Sequence, residues 1–113
     1  MTALHERLKA ALPVAMKARD RVAVTALRSA LGAIENAAAV EPRDPEFGLA
    51  ATGLGVTEVP RRVQDDAEIE RIVRAEIDER RAAADEYDQL GHGERATAKR
   101  AEAEALAGHL DPA

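Results

Sequence analysis

A chain of 113 residues in which 33% are charged and Phe47 and Tyr87 are the only aromatics has room for one modest core, and that core must be aliphatic. The lack of cysteine excludes disulfides, thiolate nucleophiles and thiolate metal sites together. The net charge of −5 is unevenly spread: residues 1–40 carry six Lys and Arg against three Asp and Glu, a balance of +3, which leaves −8 on the remainder.

In chain order, Leu4, Leu8, Leu12 and Met16 recur every four residues behind Thr2, a fitting N-cap, and predict an amphipathic helix over 3–18. Pro13 lacks an N–H and crowds the carbonyl four residues back. It predicts either a kink near Lys9 to Pro13 or a late start. Glu6 and Arg7 place charge in the first turns, no signal peptide is expected, and no stretch approaches membrane-spanning length. The expected location is cytoplasmic. Asp20 can cap a second helix over 20–40, in which Val24, Leu27, Leu31, Ile34 and Ala38 keep a 3,4,3,4 spacing. Gly32 lies off that stripe, where it is tolerable if another helix packs closely.

Residues 41–64 hold three prolines and three glycines without helical period and read as a long irregular loop, either mobile or packed by a few anchors such as Phe47, Leu49 and Leu54, in which the brief alternation at 56–59 leaves room for a short extended segment. Asp65 and Glu68 have capping-box spacing ahead of Ile69, Val73, Ile77, Ala84 and Tyr87, predicting a third helix over 66–89 that Gly91-His92-Gly93 ends. A fourth helix is expected over 94–110 on a thin stripe of Ala96, Ala103, Leu106 and Leu110, which makes it the least firmly held. The expected fold is all-α, a small bundle of four helices forming a single domain over 1–113.

Catalytic chemistry finds little footing. Ser29 lacks a nucleophile-elbow context and reads as a helix hydroxyl bonding its own backbone. His5, His92 and His109 form no pair at ligand spacing, and the glycines at 48, 53 and 55 lack the Lys-Ser/Thr of a phosphate loop. No catalytic residue, metal or cofactor is expected. Along the third helix Glu76, Asp78, Glu79, Asp85, Glu86 and Asp88 alternate with Arg71, Arg74, Arg80 and Arg81, the pattern of a solvated face with i,i+4 pairs.

The basic group Lys17, Arg19, Arg21 and Arg28 surrounds the turn between the first two helices. Two readings are open: it binds RNA phosphates, or it pairs internally with the acidic third helix, and pairing is the commoner fate of such charges. Aromatic platforms for unpaired bases are lacking.

Met16-Lys17-Ala18-Arg19-Asp20, Leu27-Arg28 and Ala33-Ile34-Glu35-Asn36-Ala37 together resemble the opening helices of the GatB/YqeY family. Glu79-Arg80-Arg81 with Ala84, Tyr87, Gly91 and the Arg95 to Glu104 stretch is similar to that family's third and fourth helices, and Leu106 to Pro112 stands where its terminal aromatic-Leu-Pro occurs. The resemblance covers residues 4–40 and 66–112. It implies a helical module shared between YqeY-like proteins and the tail of the B subunit of the glutamine-dependent Asp/Glu-tRNA amidotransferase, where the tail assists tRNA recognition. Three departures stand out: Pro13, the loop 41–64, and an end at Ala113 where the family continues into a second small helical domain, expected here to be absent. His109-Leu110-Asp111-Pro112 also lacks the aromatic.

The leading expectation is a non-catalytic accessory module with tRNA, or an amidotransferase or tRNA-associated protein, as partner and no membrane association. The alternatives are a protein-interaction or self-association module that acts without RNA as a homo-oligomer, and the family-level label of carbon-nitrogen ligase activity with glutamine as amido-N-donor.

Overall fold

The computed structural model describes residues 3–39 and 64–110, whose regular structure is four helices: α1 (Ala3–Lys17), α2 (Arg21–Ala38), α3 (Asp66–Gln89) and α4 (Gly93–Ala107). Thr2, nearly all of the loop 41–64 with Phe47, Leu49, Leu54 and the 56–59 segment, and the last three residues lie outside the described residues. The all-α bundle expected from periodicity is the fold that forms.

Helix α1 runs unbroken through Pro13, so the late start is not observed. Pro13 is exposed, where its missing N–H and its ring cost the helix without disturbing the core. The four-residue stripe needs correction at its end. Leu4 and Leu8 are buried and Leu12 half-buried, but Ala15 takes the next core position and Met16 is exposed. Each step of four residues overshoots a turn by about 40°, so three steps carry Met16 roughly a third of a turn off the face.

Helix α2 starts after Asp20, whose Oδ1 accepts the Ala23 amide at 3.1 Å. Its buried face is Ala26, Leu27, Ala30, Ile34 and Ala38, flanked by half-buried Val24 and Leu31. Gly32 does not mark a close helix approach: a Cβ there would meet nothing within 4 Å. Asp65 caps α3 by accepting the Glu68 amide at 2.8 Å, and Ile69, Val73, Ile77 and Ala84 form its buried stripe. Gly91, at φ 79°, turns the chain after α3, while Gly93 already belongs to α4. At this turn the Tyr87 ring meets His92 edge-on, with centroids 6.3 Å apart, and Arg95 lies 6.0 Å from the Tyr87 centroid. Helix α4 closes at Ala107, short of Leu110, because Gly108, His109 and Leu110 continue in turns bonded to Glu104, Leu106 and Ala107.

The expectation that α4 is least firmly held is overturned. Its contact with α3 is the most extensive between any two of the described helices, and it packs on α2 as extensively as α1 does. Ala96 and Ala103 are small enough to bring backbones together, and Leu106 is completely buried. Ion pairs supplement the thin stripe: Arg81 reaches Glu104 at 3.3 Å, and Arg100 reaches Asp85 at 2.9 Å and Asp88 at 2.7 Å. Hydrogen bonds to Asp88 and then Asp85 hold the Arg100 pKa above its ordinary value.

A polar network sits inside the bundle. Arg80 and Glu102, each only 9% exposed, join at 3.0 Å, and Arg80 also donates to Glu76 Oε1 at 3.0 Å and to the Glu76 carbonyl at 3.1 Å. Ser29 completes it. Its hydroxyl donates to Glu76 Oε1 at 2.6 Å, so the expected bond to its own backbone gives way to a link between α2 and α3. Among the described residues every buried side-chain nitrogen and oxygen has a partner. The charges of α3 are therefore only partly a solvated face with i,i+4 pairs such as Arg74–Glu70; several bind α4 and α2.

Candidate nucleic-acid interface

The four basic residues lie on and around the corner that joins α1 to α2. The corner is built by backbone hydrogen bonds: the Arg19 amide donates to the Met16 carbonyl at 3.1 Å and the Asp20 amide to the Ala15 carbonyl at 3.0 Å. This nested pair is the Schellman arrangement, which requires a left-handed residue at its corner. The end of α3 uses the same pair, with Gly91 N bonded to Asp88 O at 3.1 Å and His92 N to Tyr87 O at 2.8 Å. There the left-handed residue is glycine. At the α1 corner it is Arg19, at φ 58°, the one non-glycine residue with positive φ among those described. A side chain in that conformation costs roughly 1–2 kcal/mol, so this corner holds a cation at a conformational expense that the α3 corner avoids.

The strained turn and the first turns of α2 bring the cations together. Arg21, Val24, Thr25 and Arg28 recur at positions that share one helix face, and with Met16 and Arg19 they line an open depression. Met16 and Val24 make part of its lining apolar, and the three arginines make it cationic. Arg28 Nη2 lies 4.0 Å from Met16 Sδ, so Met16, carried off the core stripe by the drift of its repeat, is half-covered here. Lys17, the last residue of α1, is exposed beside this depression but does not line it. Thus the structure gathers Arg19, Arg21 and Arg28 and leaves Lys17 at the margin.

Pairing is common among the cations of α3 and α4 and lacking at the corner. Arg74, Arg80, Arg81, Lys99 and Arg100 of α3 and α4 all hold carboxylates, whereas Lys17, Arg19, Arg21 and Arg28 form no ion pair among the described residues. The internal pairing with the acidic third helix, the commoner fate of such charges, is not formed. Asp20, the one acid in the corner, lines the groove on the opposite side of the hairpin and is engaged with the Ala23 amide. The depression consequently keeps one sign of charge, the electrostatic condition for collecting a polyanion.

The remaining candidates stay apart. His5 lies in α1, His92 before α4 and His109 after it, and among the described residues no three His, Asp or Glu side chains are grouped to hold a metal ion. No helix among the described residues is long and apolar enough to cross a membrane. Two further polar residues, Arg80 and Glu102, escape a reading of the hydrophobic stripe, although a signal existed for the first: Ile77 and Ala84 are core positions a heptad apart, and Arg80 occupies the slot between them. Comparison of the chain with protein-family models, with curated proteins and with solved structures returns no match.

Proposed function

We propose that this protein is a non-catalytic helical accessory module that holds RNA by its phosphates at the α1–α2 corner, with tRNA as the RNA suggested by its resemblance to the GatB/YqeY family. The observation that carries the reading is clustering without pairing: α3 and α4 pair five of their seven cations with carboxylates, whereas at the corner Arg19, Arg21 and Arg28 line one depression, with Lys17 at its margin, and none of the four forms an ion pair among the described residues. Arginine is suited to this, since its planar fork meets two phosphate oxygens at once. The corner positions a backbone, its lining being three arginines with Met16, Val24 and Thr25 and no aromatic ring on which a base could stack.

The strain at Arg19 adds support. Glycine would fit the same turn at lower cost, as Gly91 does at the end of α3, and an observed backbone outlier at a cationic cluster is a reason to look for function there. The test is a fluorescence-anisotropy titration of tRNA at two salt concentrations, with wild type and the Lys17→Glu/Arg19→Glu/Arg21→Glu/Arg28→Glu variant. Binding by wild type that falls with salt and is lost in the variant supports the proposal. Equal titration curves for the two proteins refute it. Glutamine-dependent ammonia release by the purified chain is expected to be undetectable, which would set aside the ligase label.

A further inference from the structure

The opposite face of the α1–α2 hairpin carries a groove of different chemistry. Val14 and Ala15 of α1 and Ala23 and Leu27 of α2 form its apolar lining, and Val14 is 69% exposed. A charge closes each end, Arg7 at one and Asp20 at the other. Neither is neutralised within the described residues. Arg7 donates from Nε and Nη2 to the uncharged His109 carbonyl at 3.2 and 2.8 Å, and Asp20 accepts only the Ala23 amide.

We infer that this groove is the interface of a two-fold symmetric dimer, its occupant the α1 helix of a second copy running antiparallel. The argument is charge complementarity about an axis. Val14 lies midway along the chain between Arg7 and Asp20, so a two-fold axis at Val14 sets the Arg7 of each copy against the Asp20 of the other at both ends and places the two Val14 side chains together at the centre. The parallel alternative would oppose like charges at each end. Small residues along the rest of the groove allow two helices to approach closely, and burying the two Val14 side chains removes one of the larger apolar exposures on the described surface. The basic depression lies on the other face of the hairpin, so both copies keep it open and the dimer presents two phosphate-binding corners. Dimerisation itself does not depend on RNA binding.

The chain contains no cysteine, which makes one introduced thiol a specific reporter. Sedimentation of the full chain over a concentration series should show a monomer–dimer equilibrium, and Val14→Cys should oxidise to a disulfide-linked dimer at the axis. Leu90→Cys, at a site equally exposed at 69% but in the α3–α4 turn, should cross-link far more slowly. Val14→Glu, which leaves the monomer's core untouched, should raise the dimer dissociation constant on the order of a hundredfold because each copy loses the contact. Arg7→Glu should weaken the dimer by opposing like charges at both ends. A wild-type chain that stays monomeric throughout overturns the inference, as does a dimer that survives Val14→Glu or cross-links equally well through Leu90→Cys.

Discussion

Replacing Arg19 by glycine should move stability and RNA binding in opposite directions. Arg19 sits at φ 58° in the nested turn that ends α1, and release of the left-handed side chain is worth roughly 1–2 kcal/mol. Glycine returns part of that through the extra freedom it gives the unfolded chain, about 0.5–1 kcal/mol. The net expectation is a gain of about 0.5–1 kcal/mol, which for a domain of this size raises the melting temperature by roughly 2–5 °C. No packing is lost in exchange, because Arg19 is exposed and forms no ion pair among the described residues. On the functional side the proposed phosphate contact of Arg19 would be lost, and the slope of log K against log salt should become shallower by about 0.7–0.9. Thermal unfolding followed by circular dichroism reads the first effect and tRNA titration over a salt series reads the second. A variant less stable than wild type would refute the assignment of strain; one more stable with unchanged tRNA binding would remove Arg19 from the interface.

Other substitutions probe the bundle itself. Gly32→Ala should stabilise the protein by about 0.5–1 kcal/mol in denaturant unfolding, since the added methyl has open space and the helix gains propensity. Arg80→Ala should cost about 3 kcal/mol, the low end for breaking a buried pair, because it leaves Glu102 only Lys99 and Glu76 only the Ser29 hydroxyl; a loss below about 1 kcal/mol would show that the network is not buried as described. Arg81→Ala, which breaks only an exposed contact with Glu104, should change stability by less than about 1 kcal/mol in the same assay.

Local rules read from the sequence located most of the frame. Asp20 and Asp65 cap the helices they precede, Gly91 takes the left-handed turn, and the stripes from Val24 to Ala38 and from Ile69 to Ala84 face the core. These features depend on neighbours within a turn or two. Met16 failed because a repeat of four drifts against a turn of 3.6 residues. Gly32 failed because the tolerance of glycine depends on a tertiary neighbour that proves to be distant.

At the candidate site, the sequence placed the four cations near one turn but left open which of them meet and whether they are neutralised. Those questions turn on where α3 lies, and α3 spends its charges on α4, on Ser29 and on its own i,i+4 pairs. Arg19 in a left-handed conformation was equally hidden, because the usual mark of that turn is glycine and the residue present is the least suggestive of it. Ser29 illustrates the same limit from the other side: its local alternative was reasonable, and a carboxylate from a distant segment outcompeted it.

The central claim is that the α1–α2 corner is where this protein meets RNA phosphates. An amide-resolved NMR titration of the isotope-labelled protein with tRNA tests it residue by residue. The account predicts perturbations concentrated from Met16 to Arg28, on the residues that line the basic depression, and reversed by added salt. Perturbations confined to α3 and α4, or none at tRNA concentrations that shift a positively charged control protein, would contradict it.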